Sequence, residues 1–159
     1  MSWKTEVIQM VRYLIGDTDT SAPDYCDDRI VKASVISAHQ LINEVEFDRT
    51  YTINVVASSI TPDPTEVSPK DESFLYLLSL KTSILIVGGE LRSKAQSSIS
   101  LTDGPSKIDF ANVYKNYKDL VNDLNVKYEQ AKNTYKLEKI VHAVLTPYTV
   151  ENIPPYSPI

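Results

Sequence analysis

The sequence predicts a mainly α-helical protein: a bundle of about four helices around a buried central helix, with a small β element and an extended C-terminal arm. Three observations predict it. Residues Asp71 to Arg92 read DESFLYLLSLKTSILIVGGELR, apolar nearly all round, and a helix without a polar face belongs in an interior. Three further segments repeat apolar residues at the helical period and keep a polar face for solvent. Between them, Tyr51 to Ile60 changes to alternation, the period of a strand. At 159 residues, 42% hydrophobic and 23% charged, the chain has the size and composition for one domain with its own core.

The first helix is expected from Trp3 to Ile15, where Trp3, Val7, Ile8, Val11, Leu14 and Ile15 share a face. Ser2 is placed to cap it and Gly16 to end it. A polar, acidic loop, DTDTSAPDYCDD, follows. The second helix is expected from about Asp27 to Glu46, with Val31, Val35, Ala38, Ile42 and Val45 forming the stripe and Ile30 and Leu41 widening it. After the strand, TPDPTEVSP holds three prolines and reads as a loop. Ser68 as cap, Pro69 at the first helical position and Asp71 three residues on then mark the start of the central helix. Lys81, Ser79, Thr82 and Ser83 interrupt its apolar run, which makes it a core helix rather than a membrane span. Gly88-Gly89 suggests a kink or close backbone packing.

Small, polar residues from Ser93 to Ser98 should end that helix. SISL beyond them is strand-like, and Asp103-Gly104-Pro105 is a turn. The last helix is expected from Asp109, its cap, to about Leu137. Phe110, Val113, Tyr117, Leu120, Leu124, Tyr128, Ala131 and Tyr135 form one stripe along it. The division is therefore 1–137 as a helical domain and 138–159 as an extended arm. The arm ends in VLTPYTVENIPPYSPI, with four prolines, two tyrosines and no helical period. Such a segment is too apolar for an ordinary solvated linker and belongs against a partner.

Charge and motif content exclude several functions. A net charge of −5 and a pI near 5.0 do not suit a grip on nucleic acid, which needs clustered Lys and Arg. Residues 1–70 carry 6 basic and 11 acidic side chains, whereas 111–159 carry 6 and 5. One end of a subunit could therefore stack on another by charge. Cys26 is the single cysteine, so there is no internal disulfide, as suits a reducing cytoplasm. The N-terminal segment is amphipathic rather than a leader. Four glycines, at 16, 88, 89 and 104, cannot build a P-loop or a dinucleotide turn.

Asp17, Asp19, Ser21 and Asp28 stand at calcium-loop spacing, but Ala22 occupies the glycine position and helix capping accounts for the acids. His39 and His142 lie far apart without zinc-ligand spacing. Cys26 stands beside acids rather than the basic groups that activate a thiolate. No G-x-S-x-G elbow occurs. The expectation is a non-enzyme without cofactor or metal.

Four stretches in order give the chain a family likeness. Tyr25-Cys26-Asp27-Asp28-Arg29-Ile30 opens the second helix; Tyr51 to Pro64 is a strand and turn. Asp103-Gly104-Pro105-Ser106-Lys107-Ile108-Asp109 precedes the last helix, and Tyr128-Glu129-Gln130-Ala131-Lys132 with Tyr135 lies near its end. With these, spread over most of residues 3–137, the chain resembles the head–tail connector (adaptor, or neck) proteins of tailed double-stranded-DNA phages. The resemblance implies a virion protein, made in the host cytoplasm, that forms a homo-oligomeric ring, dodecameric in the family pattern. The ring sits beneath the portal protein, extends the DNA channel without sequence-specific binding and docks a tail or second neck protein, with no membrane involved. The C-terminal segment would reach the portal, with Tyr148, Ile153, Pro154, Tyr156 and Ile159 as anchors. Cys26 departs from the pattern where a capping Ser or Thr is expected, leaving Asp24 or Asp27 as the cap. A tail-completion or terminator protein, and a non-viral cytoplasmic helical binding module, are the alternatives.

Overall fold

A computed structural model describes residues 2–19, 21–99 and 110–145. It is mainly helical, with α1 (Trp3–Ile15), α2 (Asp27–Glu44), a two-stranded sheet of β1 (Thr52–Asn54) and β2 (Ser59–Thr61), α3 (Glu72–Ile99) and α4 (Phe110–Leu145). The helix α3 packs against all three of the others. Phe74, Leu75, Leu77, Leu78, Leu80, Ile86 and Val87 of α3 are buried, and Trp3, Val7, Val11, Ile30, Val35, Leu41, Leu124 and Tyr128 close around them. The apolar stripes expected on the first and second helices, and that on the last helix from Tyr117 to Tyr135, belong to the core.

Polar residues inside α3 are accommodated by the helix itself. Ser79, Thr82 and Ser83 are buried, and their hydroxyls donate to the carbonyls of Leu75, Leu78 and Ser79 at 2.7–2.8 Å. Glu72–Ala95 is long and apolar enough to cross a membrane by length and composition, and just over half of that stretch is buried in the domain. Length and interruptions therefore do not separate it from a membrane span; its packing against three helices makes it a core helix here.

Several boundaries differ from expectation, each for a local reason. The cap of α3 is Asp71 rather than Ser68: its Oδ1 accepts the Phe74 N–H at 3.0 Å, while Oδ2 accepts the Tyr51 hydroxyl at 2.6 Å. The carbonyl of Ser68 instead accepts from Arg49 at 2.7 Å. The α3 helix runs through Ser93–Ser98 to Ile99, because that stretch contains Lys94, Ala95 and Gln96 and no Gly or Pro breaks it. Ser98 and Ile99 are thus helical, not the start of a strand; the turn at Asp103 and the Asp109 cap lie outside the described residues. Similarly, α4 continues past Leu137 to Leu145. No Gly or Pro occurs between Lys136 and Leu145 to break it. The boundary expected after Leu137 falls inside this helix.

The N-cap of α2 is Cys26, with no side-chain hydrogen bond, so neither Asp24 nor Asp27 caps it. Ser2 is the N-cap of α1, also without a side-chain bond, and Gly16 ends that helix at φ +80°, a conformation that glycine adopts without strain. The segment read as one strand is a hairpin: Thr52 pairs with Thr61, Ile53 with Ile60 and Asn54 with Ser59. Asn54 Oδ1 accepts the Ala57 N–H at 2.9 Å and closes the turn. Around Gly88 and Gly89 an added Cβ would meet nothing within 4 Å, so close backbone packing is not their reason.

Candidate functional site

Three ties fix the surfaces that a partner could meet. The first is Arg12. Its guanidinium pairs with Asp17 Oδ2 at 2.5 Å and Asp27 Oδ1 at 2.6 Å and donates to the Tyr25 carbonyl at 2.8 Å. Buried Asp17 also accepts the N–H groups of Asp24 and Tyr25 at 3.0 and 3.4 Å. The acids at calcium-loop spacing are thus divided. Asp17 holds the α1–α2 loop, Asp19 accepts from Ser21 and Asp28 pairs with Lys32 on the next turn. Among the described residues, no group of three or more His, Cys, Asp or Glu is arranged to hold a metal.

The second tie joins α2, α3 and α4. Lys81 Nζ meets Glu44 Oε1 at 2.6 Å, and the Tyr128 hydroxyl donates to Glu44 Oε2 at 2.7 Å. Lys81 and Lys132 lie 4.9 and 5.2 Å from the centre of the Tyr128 ring. Burial pushes the Glu44 carboxyl up, but the hydrogen bonds from Lys81 and Tyr128, with the Lys81 and Lys132 charges, outweigh it and leave the carboxyl below its ordinary range. The Tyr128 phenol is pushed up, by burial first and then by its bond to Glu44. Burial, then the Glu90 charge, raises Tyr25 to about 12, and burial, then Asp71, raises Tyr51. These phenols stay protonated at neutral pH, and those of Tyr128 and Tyr51 act as donors within the fold.

The third tie is an aromatic cluster at the root of the hairpin. Tyr51 stacks on Phe74 at 4.1 Å, and Phe47 meets Phe74 and Tyr135 at 5.1 and 5.3 Å. Nearby, Lys139 of α4 donates to the Glu46 carbonyl at 3.0 Å and lies 3.4 Å from Asp48. Lys139 thereby ties α4 beyond Leu137 to the segment after α2.

Between these ties lies an open groove of about 330 Å³ between the start of α3 and the end of α4. Ser73, Tyr76 and Leu77 form one wall; Gln130, Ala131, Thr134 and Tyr135 form the other, with Lys127 and Glu138 also lining it. Tyr76 is 43% exposed there. Apolar side chains also face solvent elsewhere, among them Tyr13 on α1, Ile36 on α2, Val55 and Val56 at the hairpin tip (Val56 is 98% exposed), and Val126, Leu137, Ile140 and Val141 on α4.

The residues expected to anchor a partner, Tyr148, Ile153, Pro154, Tyr156 and Ile159, lie outside the described residues. Sequence reasoning missed the groove and the hairpin tip. Tyr76 stood unnoticed inside an apolar run, and Val55-Val56 passed for strand residues. Their signal was present in part, since the pair breaks the strict alternation of the strand reading. No family model, curated protein or solved structure matches the chain.

Proposed function

We propose that this chain is a structural subunit of a phage neck. It forms a homo-oligomeric ring that joins the portal to the tail or the next neck component and continues the DNA channel. The observation that carries the reading is the ordered set of four motifs. Of these, Tyr25–Ile30 leads into α2, Tyr51–Pro64 covers the hairpin and the turn after it, and Tyr128–Tyr135 lies in the half of α4 that packs on the core. The motif at Asp103–Asp109 lies outside the described residues.

Two further features support it. Exposed apolar side chains on several elements supply contact area, and a ring of identical subunits uses two different patches of each subunit at every interface. A net charge of −5 keeps a channel wall from gripping phosphates. The test is the mass of the full-length protein alone and mixed with its candidate portal ring. A ring-sized species that joins the portal is the expected result. A protein that stays monomeric and leaves the portal unchanged overturns the proposal.

A further inference from the structure

We infer that the second half of α4 is a strap over the connector between α2 and the hairpin, residues 45–51, and that strap and connector open and close as one unit. The inference does not rest on the neck assignment and holds for the isolated subunit.

The connector is held differently along its length. At its start, the Val45 N–H donates to the Leu41 carbonyl of α2 at 2.9 Å. At its end, the Tyr51 hydroxyl donates to Asp71 and the Tyr51 ring stacks on Phe74 of α3. Between those ends, the backbone of residues 46–48 has its hydrogen-bond partners, among the described residues, on α4 alone. The Asp48 N–H donates to the Tyr135 hydroxyl at 3.3 Å, and the Glu46 carbonyl accepts from Lys139 at 3.0 Å. Phe47 stands between these two bonds. Its ring is shared, 5.3 Å from that of Tyr135 on α4 and 5.1 Å from that of Phe74 on α3.

The strap uses one device twice. Tyr128 with Lys132, and Tyr135 with Lys139, are the same pair of residues four apart, displaced by seven along the chain. Seven residues return a helix to nearly the same face. The first pair serves the end of α2, where Tyr128 donates to Glu44 and Lys132 lies over the Tyr128 ring. The second serves the connector. The two pairs differ in depth: Tyr128 is buried, Tyr135 is half-buried, and beyond it Leu137, Ile140 and Val141 are exposed.

Local opening starts where few apolar contacts are buried and hydrogen bonds lie close to solvent. In α4 that place is the stretch from Tyr135 onward, with Leu124 and Tyr128 as the anchor behind it. When the stretch lifts, Glu46 and Asp48 lose their backbone partners and Phe47 loses one of its aromatic neighbours. The connector runs directly into β1, and both strands of the hairpin lean on α2. The seating of the hairpin therefore depends on the docking of α4. A coupling of this kind is reciprocal, so loosening the connector must also loosen the end of α4.

Hydrogen–deuterium exchange of the full-length chain, read peptide by peptide, tests both directions. The double variant Tyr135→Phe, Lys139→Met removes the two bonds while keeping the ring and the aliphatic stem. Exchange in peptides covering 46–61 is expected to rise several-fold, with α1 and residues 74–87 of α3 unchanged. Phe47→Leu keeps an apolar side chain and removes the ring contacts. Exchange over residues 132–141 is expected to rise several-fold there, again with α1 and residues 74–87 unchanged. Either variant without its expected response overturns the inference. A rise spread equally over all the helices also overturns it, because the contacts would then add to stability without forming a separate unit.

Discussion

Ser37 is fully buried in α2, and its hydroxyl oxygen has no hydrogen-bond partner. The buried serines Ser34, Ser79 and Ser83 each donate to the carbonyl four residues earlier, so Ser37 differs from them in its bonding and not in its burial. A buried polar atom left unmatched costs free energy that an apolar atom of similar size avoids. Ser37→Ala is therefore expected to raise stability by about 1 kcal/mol, read as a higher urea midpoint at unchanged slope. Glu44 gives a pH-dependent counterpart. Its carboxyl is below the ordinary value of 4.5 in the folded protein. Around that value the unfolded chain binds more protons than the folded one, so stability rises with pH there. The contribution is complete above the unfolded value and is lost as pH falls through the folded one. Glu44→Gln is expected to be less stable than the parent at neutral pH, with the gap closing on acidification below about pH 4. Denaturant melts of both proteins across pH 3 to 7 check it, the range being set by the usual carboxylate values.

At the scale of elements, the two glycines of α3 stand in open space. Neither has a packing reason that structure or sequence supplies, and glycine inside a helix is less favourable than alanine by about 0.8–1 kcal/mol. Gly88→Ala and Gly89→Ala should each raise the melting temperature, and the double variant should add the two effects. A loss of stability in either would mean that α3 bends there in some state of the protein. Most of the fold was legible because burial leaves a periodic trace. The stripe from Tyr117 to Tyr135 is the face of α4 on the core, and Gly16 ended α1 where a left-handed residue is needed. What was not legible depended on distant partners. Asp71 caps α3 while receiving the Tyr51 hydroxyl from twenty residues away, and no local pattern near Ser68 records that. The groove was hidden for the same reason. Tyr76 and Gln130 become neighbours only once α3 and α4 are side by side.

For the whole molecule, charge and shape bear on assembly. The excess of acid in residues 1–70 is partly consumed within the domain by Arg12, Lys81 and Lys139. The remainder, with the exposed Val55-Val56 tip, leaves both charged and apolar surface for the contacts that the proposed ring requires. Val56→Asp changes no buried contact. It is expected to leave the melting temperature of the isolated subunit within about 0.5 kcal/mol equivalent of the parent and to lower the mass of any ring measured in solution. An unchanged ring mass would remove the tip from the interface. The position of α3 in the chain has a further effect, on the order of events during synthesis. The first two helices contact each other less than either contacts α3, and α3 begins at residue 72. Until it leaves the ribosome, Val7, Val11, Ile30, Val35 and Leu41 lack the surface that covers them. A nascent chain stalled with 70 residues emerged should be digested rapidly by protease, and one stalled with residues through 99 emerged should resist more. The N-terminal half is made first and folds late.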